Sequence, residues 1–563
     1  MAFMVEVGWS GPVAAPSMES AVDGGRQDES NRPTSLPLSV VRPKCSGSLP
    51  LASLRTMDLG VDLGTTRTTV AVADRGNYPV VGFLDADDDV HDWFPSVVAR
   101  TGPGPEGLSF GYAALAAAAQ GAPTLRSFKR ALGEPTAGPR SELRVGEETV
   151  PLSTLLSGFL TELSHALRNR STIAGEDLGR TVISVPAHAH SSQRFLTLEA
   201  FRQAGFDVVL LVNEPSAAGF EYSHRKGRTL TRHRNRVVVY DLGGGTFDAS
   251  LVAIDGGRHE VVSSVGLNRL GGDDFDAVLA DLALAQSGHG PLDAAARGSA
   301  AYLDLLDQAR EAKERLSPQS RRLVLDVDGE PVTVSVEEFY EASAPLVTRT
   351  MEAMEPLVQG LDEGANTEVA GLYLVGGASA LPLVPRMLRD RFGRRVHRAP
   401  LPAASTAIGL AIASDQDSGY SLADRLSRSV GVFREAEAGA EVAFDQILGR
   451  DQRIVPGESV SVRRRYRAAH NVGHFRFVEV PGADGTPRGE LVPFGEVFFP
   501  FASELRDDRD LRSLPVQRGA GPLVEEVYTV DENGLVEVEI TDLDSGYAVR
   551  RSLGSPTGDA TSA

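Results

Sequence analysis

The sequence predicts an α/β domain with two similar lobes, followed by a small all-β sandwich-like domain and preceded by a disordered N-terminal extension. Two apolar, β-branched runs each end in a turn containing an acid, a glycine and a hydroxyl, and these turns lie 179 positions apart. Strand patterns alternate with helical patterns over the first four hundred residues or so. Beyond residue 430 only short strand-like runs remain, separated by closely spaced turn residues.

Composition excludes several classes of protein. The chain has 563 residues, a net charge of −20 and one cysteine, Cys45. The acidic balance argues against a nucleic-acid partner, and a single cysteine allows neither an intramolecular disulfide nor a thiolate metal cluster. No apolar run is long enough for a membrane helix, and the N-terminus lacks the pattern of a secretory signal. We therefore expect a cytoplasmic protein without a membrane partner.

Changes in composition divide the chain into five predicted segments. Residues 1–56 are rich in glycine, proline, serine and charge, so we expect them to be disordered. A clear strand pattern opens at Met57, which suggests the hypothesis that translation starts there and that the extension is absent from the native protein. The other segments are a nucleotide-binding domain at 57–413, a polar linker at 414–429, a β-sandwich domain at 430–553 and a polar tail at 554–563.

The strongest local signal is Val237–Asp248, in which a buried strand ends at Asp241 and three glycines precede Thr246. Glycine lets backbone amides approach an anion closely, and a neighbouring carboxylate suits a hydrated Mg²⁺ ion. The pattern indicates a cradle for phosphate and metal. An ordinary glycine hairpin would have the same local sequence, so this turn alone leaves both interpretations open.

A second turn of the same kind, Asp62–Thr66, favours the cradle. Two matching turns suggest two related lobes that present phosphate-binding backbone to one cleft. The glycine pairs Gly271–Gly272 and Gly376–Gly377 each lead into a helix, and a helix N-terminus favours an anionic ligand. The sequence contains no GxxxxGK[ST] motif, which excludes a P-loop enzyme.

The order and spacing of these motifs resemble the DnaK-type heat-shock protein 70 family, whose ATPase domain belongs to the actin and sugar-kinase superfamily. The resemblance is close over residues 57–413 and fainter over 430–553. It implies an actin-like ATPase fold with ATP or ADP and Mg²⁺ as cofactors. The motifs that carry it are Val61–Thr66, Phe94–Ser96, Phe128–Arg130, Val185–Ala187, Ser192–Arg194, Asn213–Ala218, Asp241–Asp248, Leu270–Asp276, Val375–Gly377 and Val530–Val538.

The resemblance also implies residue roles that agree with the chemistry of phosphoryl transfer, which needs mainly positioning and charge stabilisation. Asp62 and Asp241 would hold Mg²⁺ through water. Lys129 would neutralise the γ-phosphoryl oxygens, and Glu214 would orient the attacking water. The implied catalytic set is Lys129, Glu214, Asp241 and Thr246. The implied nucleotide-binding set is Gly64, Thr65, Thr66, Gly243, Gly244, Gly245, Gly271, Gly272, Lys313, Ser317, Gly376 and Gly377.

At the level of function, the resemblance implies an ATP-dependent chaperone that binds unfolded or extended polypeptide. A J-domain co-chaperone and a nucleotide-exchange factor are the partners it suggests. One alternative is a nucleotide-switched binding or scaffold module with little hydrolysis or interdomain coupling. A small-molecule kinase of the same superfamily is disfavoured because it leaves the β-rich domain unexplained, and an actin-like filament former is a further alternative.

Three departures from the family pattern bear on these expectations. Ala380 stands where the family commonly has an arginine flanking adenine, so we expect weaker nucleotide binding. The linker runs Asp424–Ser429 instead of an apolar, leucine-rich segment, which leaves the coupling of the two halves open. No amphipathic pattern follows Leu553, so we expect no helical lid and fast release of any bound peptide.

Overall fold

The computed structural model describes most of the chain between Arg55 and Gly554. The described residues are 55–134, 136–187, 189–227, 230–267, 269–359, 368–426, 428–436, 441–450, 452–480, 491–507 and 510–554. The predicted disorder of the N-terminal extension falls on residues outside these ranges, except for its last two. Those two residues are ordered, because the first strand begins at Thr56 and the Arg55 backbone amide donates to Glu176.

The first lobe is built on a five-stranded sheet with the order β12-β11-β1-β2-β5. Strand β1 pairs in parallel with β11 and antiparallel with β2. The strands of this part of the chain are β1 Thr56–Asp62, β2 Arg67–Ala73, β3 Phe83–Leu84, β4 Val90–His91, β5 Phe94–Pro95, β6 Val97–Arg100, β7 Leu108–Phe110, β8 Thr124–Arg126, β9 Glu142–Val145, β10 Glu148–Pro151, β11 Asp177–Val185 and β12 Asp207–Asn213.

The helices of this part have the predicted amphipathic pattern. The helix predicted for residues 152–169 forms over that range, and it buries Leu156, Phe159 and Leu163 because they recur every three or four residues on one face. The helices are α1 Gly111–Ala119, α2 Leu152–Asn169, α3 Ser191–Gln203 and α4 Glu214–Lys226.

The second lobe repeats the arrangement around β13, which pairs antiparallel with β14 and in parallel with β18. The strands are β13 Arg236–Leu242, β14 Phe247–Asp255, β15 Arg258–Leu267, β16 Arg322–Val327, β17 Glu330–Ser335, β18 Val369–Val375 and β19 Val396–Arg398. The helices of this part of the chain are α5 Gly272–Gln286, α6 Ala294–Arg297, α7 Ala300–Glu314, α8 Val336–Ala353, α9 Glu355–Val358, α10 Leu383–Phe392 and α11 Ser405–Ser414. Helix α11 packs against the sheet of the first lobe, where Ala407 and Ala411 contact the core around Val182. The two-lobed α/β prediction therefore agrees with the structure.

The predicted polar linker contains a strand, β20 Ser421–Arg425. It pairs in parallel with residues Arg258–Glu260 of β15 and extends the large sheet, whose order is β19-β18-β13-β14-β15-β20-β23. The polar composition gave no sign of a strand here. Leu422 and Ala423 are nevertheless buried against the sheet, and the backbone groups of a short edge strand are satisfied by pairing whatever its side chains are.

The C-terminal part is all β and forms two four-stranded sheets, with the orders β22-β21-β25-β26 and β24-β27-β28-β29. Both contribute to one apolar core that includes Phe477, Phe499 and Tyr528. The Asp531–Gly534 turn joins two strands as predicted. The strands are β21 Ser429–Ala436, β22 Glu441–Leu448, β23 Arg453–Ile454, β24 Val460–Arg467, β25 Val472–Val480, β26 Val492–Pro500, β27 Leu523–Val530, β28 Val536–Asp542 and β29 Ala548–Ser552.

Candidate functional site

The two acid–glycine–hydroxyl turns meet tip to tip. A Cβ atom added to Gly244 would lie 2.5 Å from the Thr66 hydroxyl, and one added to Gly245 would lie 3.0 Å from the Thr65 methyl group. Contacts this close require glycine, because any larger side chain would push the turns apart. The tips therefore pack directly against each other at the floor of a cleft of about 1530 Å³.

Most of the residues predicted from the sequence line this cleft. They are Asp62, Gly64, Thr65, Thr66, Lys129, Glu214, Asp241, Gly243, Gly244, Thr246, Gly272, Lys313, Gly376 and Gly377. Gly245 and Gly271 are not part of the lining but support it, since a Cβ added to Gly271 would meet the backbone of both Gly244 and Gly245. Gly376 has a φ of 82°, and a side chain there would collide with the Asp241 carboxylate.

Ser317 lies outside the cleft lining. Helix α7 ends at Glu314, three residues earlier than the prediction that placed Ser317 on a helical face with Lys313. Ser317 is exposed in the following turn, and its hydroxyl lies 3.1 Å from that of Ser320. The helical periodicity was extended too far because Leu316 continues the apolar pattern beyond the point where the backbone leaves the helix.

Lys129 and Glu214 form a buried ion pair in the cleft, with 3.0 Å between Lys129 Nζ and Glu214 Oε1. Lys129 lies in a 3₁₀ turn that follows Ser127, whose φ of 55° is in the left-handed region. Left-handed backbone at a residue other than glycine carries strain, and such strain is often found at functional sites. The Ser127 hydroxyl donates to Asp273 across the cleft at 3.0 Å, which stabilises this conformation.

The cleft holds more negative than positive charge. Burial, with the nearby Asp62 and Asp248 carboxylates, raises the pKa of Glu214 to about 7 even though Lys129 opposes the shift. Burial and the same neighbouring acids raise the pKa of Asp241 well above its ordinary value. These shifts indicate that buried carboxylates lie close together beside Lys129.

Oxygen donors and excess negative charge are the chemistry that Mg²⁺ prefers. Asp62 and Asp241 line the cleft beside the hydroxyls of Thr66 and Thr246, so the residues present fit a hydrated magnesium ion. Among the described residues, no three acidic, histidine or cysteine side chains come together as direct metal ligands. The water-mediated role of Asp62 and Asp241 stays a proposal.

On the second lobe, Lys313 lies at the other end of the cleft floor that the two turns form. Its ammonium group donates to the Gly272 carbonyl at 2.7 Å and lies 2.6 Å from Asp276 Oδ1. Burial raises the pKa of Asp276 to about 6, although Lys313 and Arg310 oppose the shift. These contacts hold Lys313 beside the Gly271–Gly272 turn, as expected for a residue that contacts a nucleotide.

One hydrogen bond and two ion pairs across the cleft were not predicted from the sequence. Arg130 on the first lobe donates to the Gly245 carbonyl at 3.1 Å, Arg126 lies 2.9 Å from Asp307, and Arg67 pairs with Glu314. Pattern analysis had no signal for these contacts, because each joins residues more than a hundred positions apart. They hold the two lobes together around the cleft.

A second polar cluster connects the cleft to the linker. Asn213 directly precedes Glu214 and was predicted to cap helix α4, but its side chain makes no capping hydrogen bond. Its amide oxygen instead accepts from Arg194 at 2.7 Å, and its backbone amide donates to Asp424 of the linker strand at 3.2 Å. Glu214 therefore faces the cleft, while Asn213 contacts the linker.

The same cluster reaches the β-rich region. Arg194 is buried and donates to the Asn533 carbonyl at 3.0 and 2.8 Å, and the Asn533 side chain accepts from the Leu211 backbone amide at 3.0 Å. Glu479 accepts from the Ser191 backbone amide at 3.1 Å, at the start of helix α3. The Asp531–Gly534 turn and the linker therefore both contact the first lobe behind the cleft.

Two facing acid–glycine–hydroxyl turns, with a lysine and a glutamate between them, define the class of two-lobed nucleotide-binding ATPase domains. The family described as Hsp70 protein matches residues 58–428. The chain belongs to the Hsp70 family. It is therefore an ATPase and an ATP-dependent chaperone that binds ATP and ADP.

Curated relatives agree with this assignment. Chaperone protein HscA of Enterobacter sp. (strain 638) is 30% identical over 528 residues, which cover 89% of this chain and 79% of the relative. Chaperone protein HscA of Citrobacter koseri is 31% identical over 518 residues, which cover 87% and 77%. The similarity extends through the β-rich region as well as the ATPase domain. No described helix of the chain is both long and apolar enough to span a membrane.

Proposed function

We propose that the chain hydrolyses ATP with Mg²⁺ in the cleft between the two turns, and that the state of this cleft controls the binding of unfolded polypeptide by the β-rich region. The observation that carries the proposal is the pair of adjacent residues Asn213 and Glu214. Glu214 is held by Lys129 in the cleft, and Asn213 is held by the linker residue Asp424. The N-terminus of helix α4 thus connects the proposed reaction site to the interdomain linker.

In the proposed reaction, the backbone amides of Gly243–Gly245 and the hydroxyls of Thr65, Thr66 and Thr246 bind the β- and γ-phosphates. Mg²⁺, bound through water near Asp62 and Asp241, would supply charge neutralisation at the phosphate oxygens. Lys129 stabilises the charge that develops on the transferred phosphoryl group, and Glu214 orients the attacking water. The raised pKa of Glu214 suits a carboxyl that accepts a hydrogen bond from that water near neutral pH.

The β-rich region is proposed to bind extended segments of client polypeptide, with release favoured when ATP is bound. The docked linker strand supports coupling over the alternative of an uncoupled binding module, because Asp424 is buried between Asn213 and Ser216. A J-domain co-chaperone and a nucleotide-exchange factor remain predictions from the resemblance. The cytoplasmic location and the domain boundaries remain predictions from composition, apart from the strand found within 414–429.

Steady-state ATP hydrolysis with and without an unfolded peptide tests the proposal. We expect Lys129→Ala to lower turnover by about a thousandfold, since one charged stabiliser of a transferred phosphoryl group contributes on that order. Turnover of the unaltered protein that is no higher than that of Lys129→Ala would contradict the catalytic assignment.

The coupling is tested separately with Asp424→Asn and a matched control, Asp417→Asn, which alters an exposed acid just before the linker strand. We expect Asp424→Asn to keep basal hydrolysis and to lose the response to peptide, whereas Asp417→Asn keeps both. An unchanged peptide response in Asp424→Asn would contradict a role for the linker contact.

A further inference from the structure

The cleft extends past the phosphate floor along the second lobe. The lining there includes Leu316 after helix α7, Tyr340 on helix α8, and Leu381, Pro382 and Arg386 at the start of helix α10. Leu316, Leu381 and Pro382 give this end of the cleft apolar surface, next to charged side chains that include Glu341, Arg389 and Asp390. An apolar slot next to Lys313 and Gly377 suits a flat, weakly polar base.

At position 380, where the Hsp70 family commonly has an arginine flanking adenine, this chain has no side chain on which the base could stack. Ala380 ends the 3₁₀ turn Gly377–Ala380 and has only a methyl group. A purine base bound in this part of the cleft still needs a planar side chain to stack on for tight binding. Among the described residues around Ala380, such a side chain comes from a different position in the chain, Arg386.

Arg386 lies in the first turns of helix α10, where its backbone amide approaches the Pro382 carbonyl at 3.4 Å. Side chains on a helix lean toward the helix N-terminus. Arg386 lines the same cleft as Pro382 and Ala380. An arginine six residues further along the chain can thus cover the region that an arginine at 380 would cover.

Arg386 makes a cation–π contact with Tyr340. The Arg386 Cζ atom lies 5.2 Å from the centroid of the Tyr340 ring. Within the described part of the chain, Arg386 has no carboxylate partner, whereas Arg310 in the same cleft is paired with Asp273, Asp276 and Asp307. The Arg386 guanidinium thus contacts an aromatic ring and lines the cleft without an ion pair from the protein.

We propose that Arg386, which lies over the Tyr340 ring, is the residue on which the adenine of the bound nucleotide stacks. The inference rests on the proposed ATP site and adds a base-recognition residue to it. Arg386 contacts the base, and Tyr340 is a positioning residue that orients the guanidinium. Stacking of a planar cation on an aromatic ring is favourable, and more so where water is excluded.

Calorimetric titration with MgADP and with magnesium tripolyphosphate, which lacks the base, tests the inference. We expect Arg386→Ala to weaken MgADP binding by about tenfold and to leave tripolyphosphate binding unchanged. Arg386→Lys should resemble Arg386→Ala, because lysine keeps the charge and loses the plane. Adding Ala380→Arg to the Arg386→Ala protein should restore MgADP affinity.

The matched control is Arg394→Ala, which removes the same charge from an exposed position just after the same helix and outside the cleft lining. It should change both affinities by less than about twofold. Equal loss of MgADP and tripolyphosphate binding in Arg386→Ala, or no loss of either, would overturn the inference while the proposed function stands. Absence of MgADP binding by the unaltered protein would overturn both.

Discussion

The ATPase cleft and the β-rich region each contain a cluster of charged side chains, and the two clusters differ in charge balance. In the β-rich region the fully buried Glu526 accepts from Arg434 at 2.9 and 2.6 Å and from the hydroxyls of Tyr466 and Tyr528 at 2.6 and 2.5 Å. Asp445 pairs with the same arginine at 2.7 Å. Every charge in this cluster has an opposite charge or a hydrogen-bond donor from the protein itself.

The cleft, by contrast, brings the Asp62, Glu214 and Asp241 carboxylates together near Lys129, whose ion pair is with Glu214. The raised pKa values of Glu214 and Asp241 are the consequence. A buried network with all its partners stabilises a fold, whereas an unbalanced one lowers stability and is kept where a ligand completes it. The comparison assigns a structural role to the Glu526 cluster and a ligand-binding role to the cleft.

The largest expected effect comes from breaking the balanced cluster. Arg434→Met leaves Glu526 buried without its ionic partner, and removal of one member of a buried pair costs about 3 kcal/mol of unfolding free energy. Urea unfolding of the β-rich region measures the loss. The control is Arg550→Met, which breaks an exposed pair with Glu537 and should cost less than about 0.5 kcal/mol. Similar values for both variants would contradict the structural role of Glu526.

In the cleft, by contrast, we expect a substitution that raises the stability of the nucleotide-free protein. Asp241→Asn removes a carboxylate that is destabilised by burial and by neighbouring acids, so the nucleotide-free protein should gain about 1 kcal/mol of stability. The same variant should lose ATP turnover. Thermal unfolding without nucleotide measures the gain, and a loss of stability in Asp241→Asn would mean that the cleft is internally balanced after all.

An effect of similar size is expected for a buried group without charge, His259, which lies on β15 next to the linker strand. Its Nε2 atom is 2.8 Å from the Ser223 hydroxyl, and its ring packs against Phe220 and Tyr420. Burial lowers the pKa of His259 from 6.5 to about 4. The folded protein therefore disfavours the protonated ring.

Because the pKa of His259 is depressed in the fold, its contribution to stability is complete above pH 6.5 and is lost as the pH falls toward 4. Between pH 7.5 and 5.5, the unaltered protein should lose about 1 kcal/mol more unfolding free energy than His259→Phe does. Parallel pH profiles for the two proteins would show that His259 is not held neutral by the docked linker.

Local patterns in the sequence were sufficient to predict the two turns and helix α2, because each depends on residues close together in the chain. They could not predict that Gly244 and Gly245 pack on Thr65 and Thr66, since that contact depends on how two distant hairpins face each other. The matching composition of the turns indicated only that they belong to one site.

The linker shows where sequence analysis fails for a different reason. Strand β20 is short and mixed in polarity, and its stability comes from pairing with β15 and from the buried contacts of Asp424, not from its own propensity. Arg386 was missed because the family pattern directed attention to position 380. The function of a long side chain depends on where its end lies, and the sequence position alone does not reveal that.

The charge imbalance of the cleft is tested most directly by calorimetric titration of the unaltered protein with ADP, once with Mg²⁺ and once with excess chelator. We predict binding that weakens by at least about tenfold without the metal, because the cleft carboxylates then repel the nucleotide phosphates without a metal cation to offset them. Equal affinity in the two titrations would contradict the account, since it would mean that the acids around Lys129 need no cation.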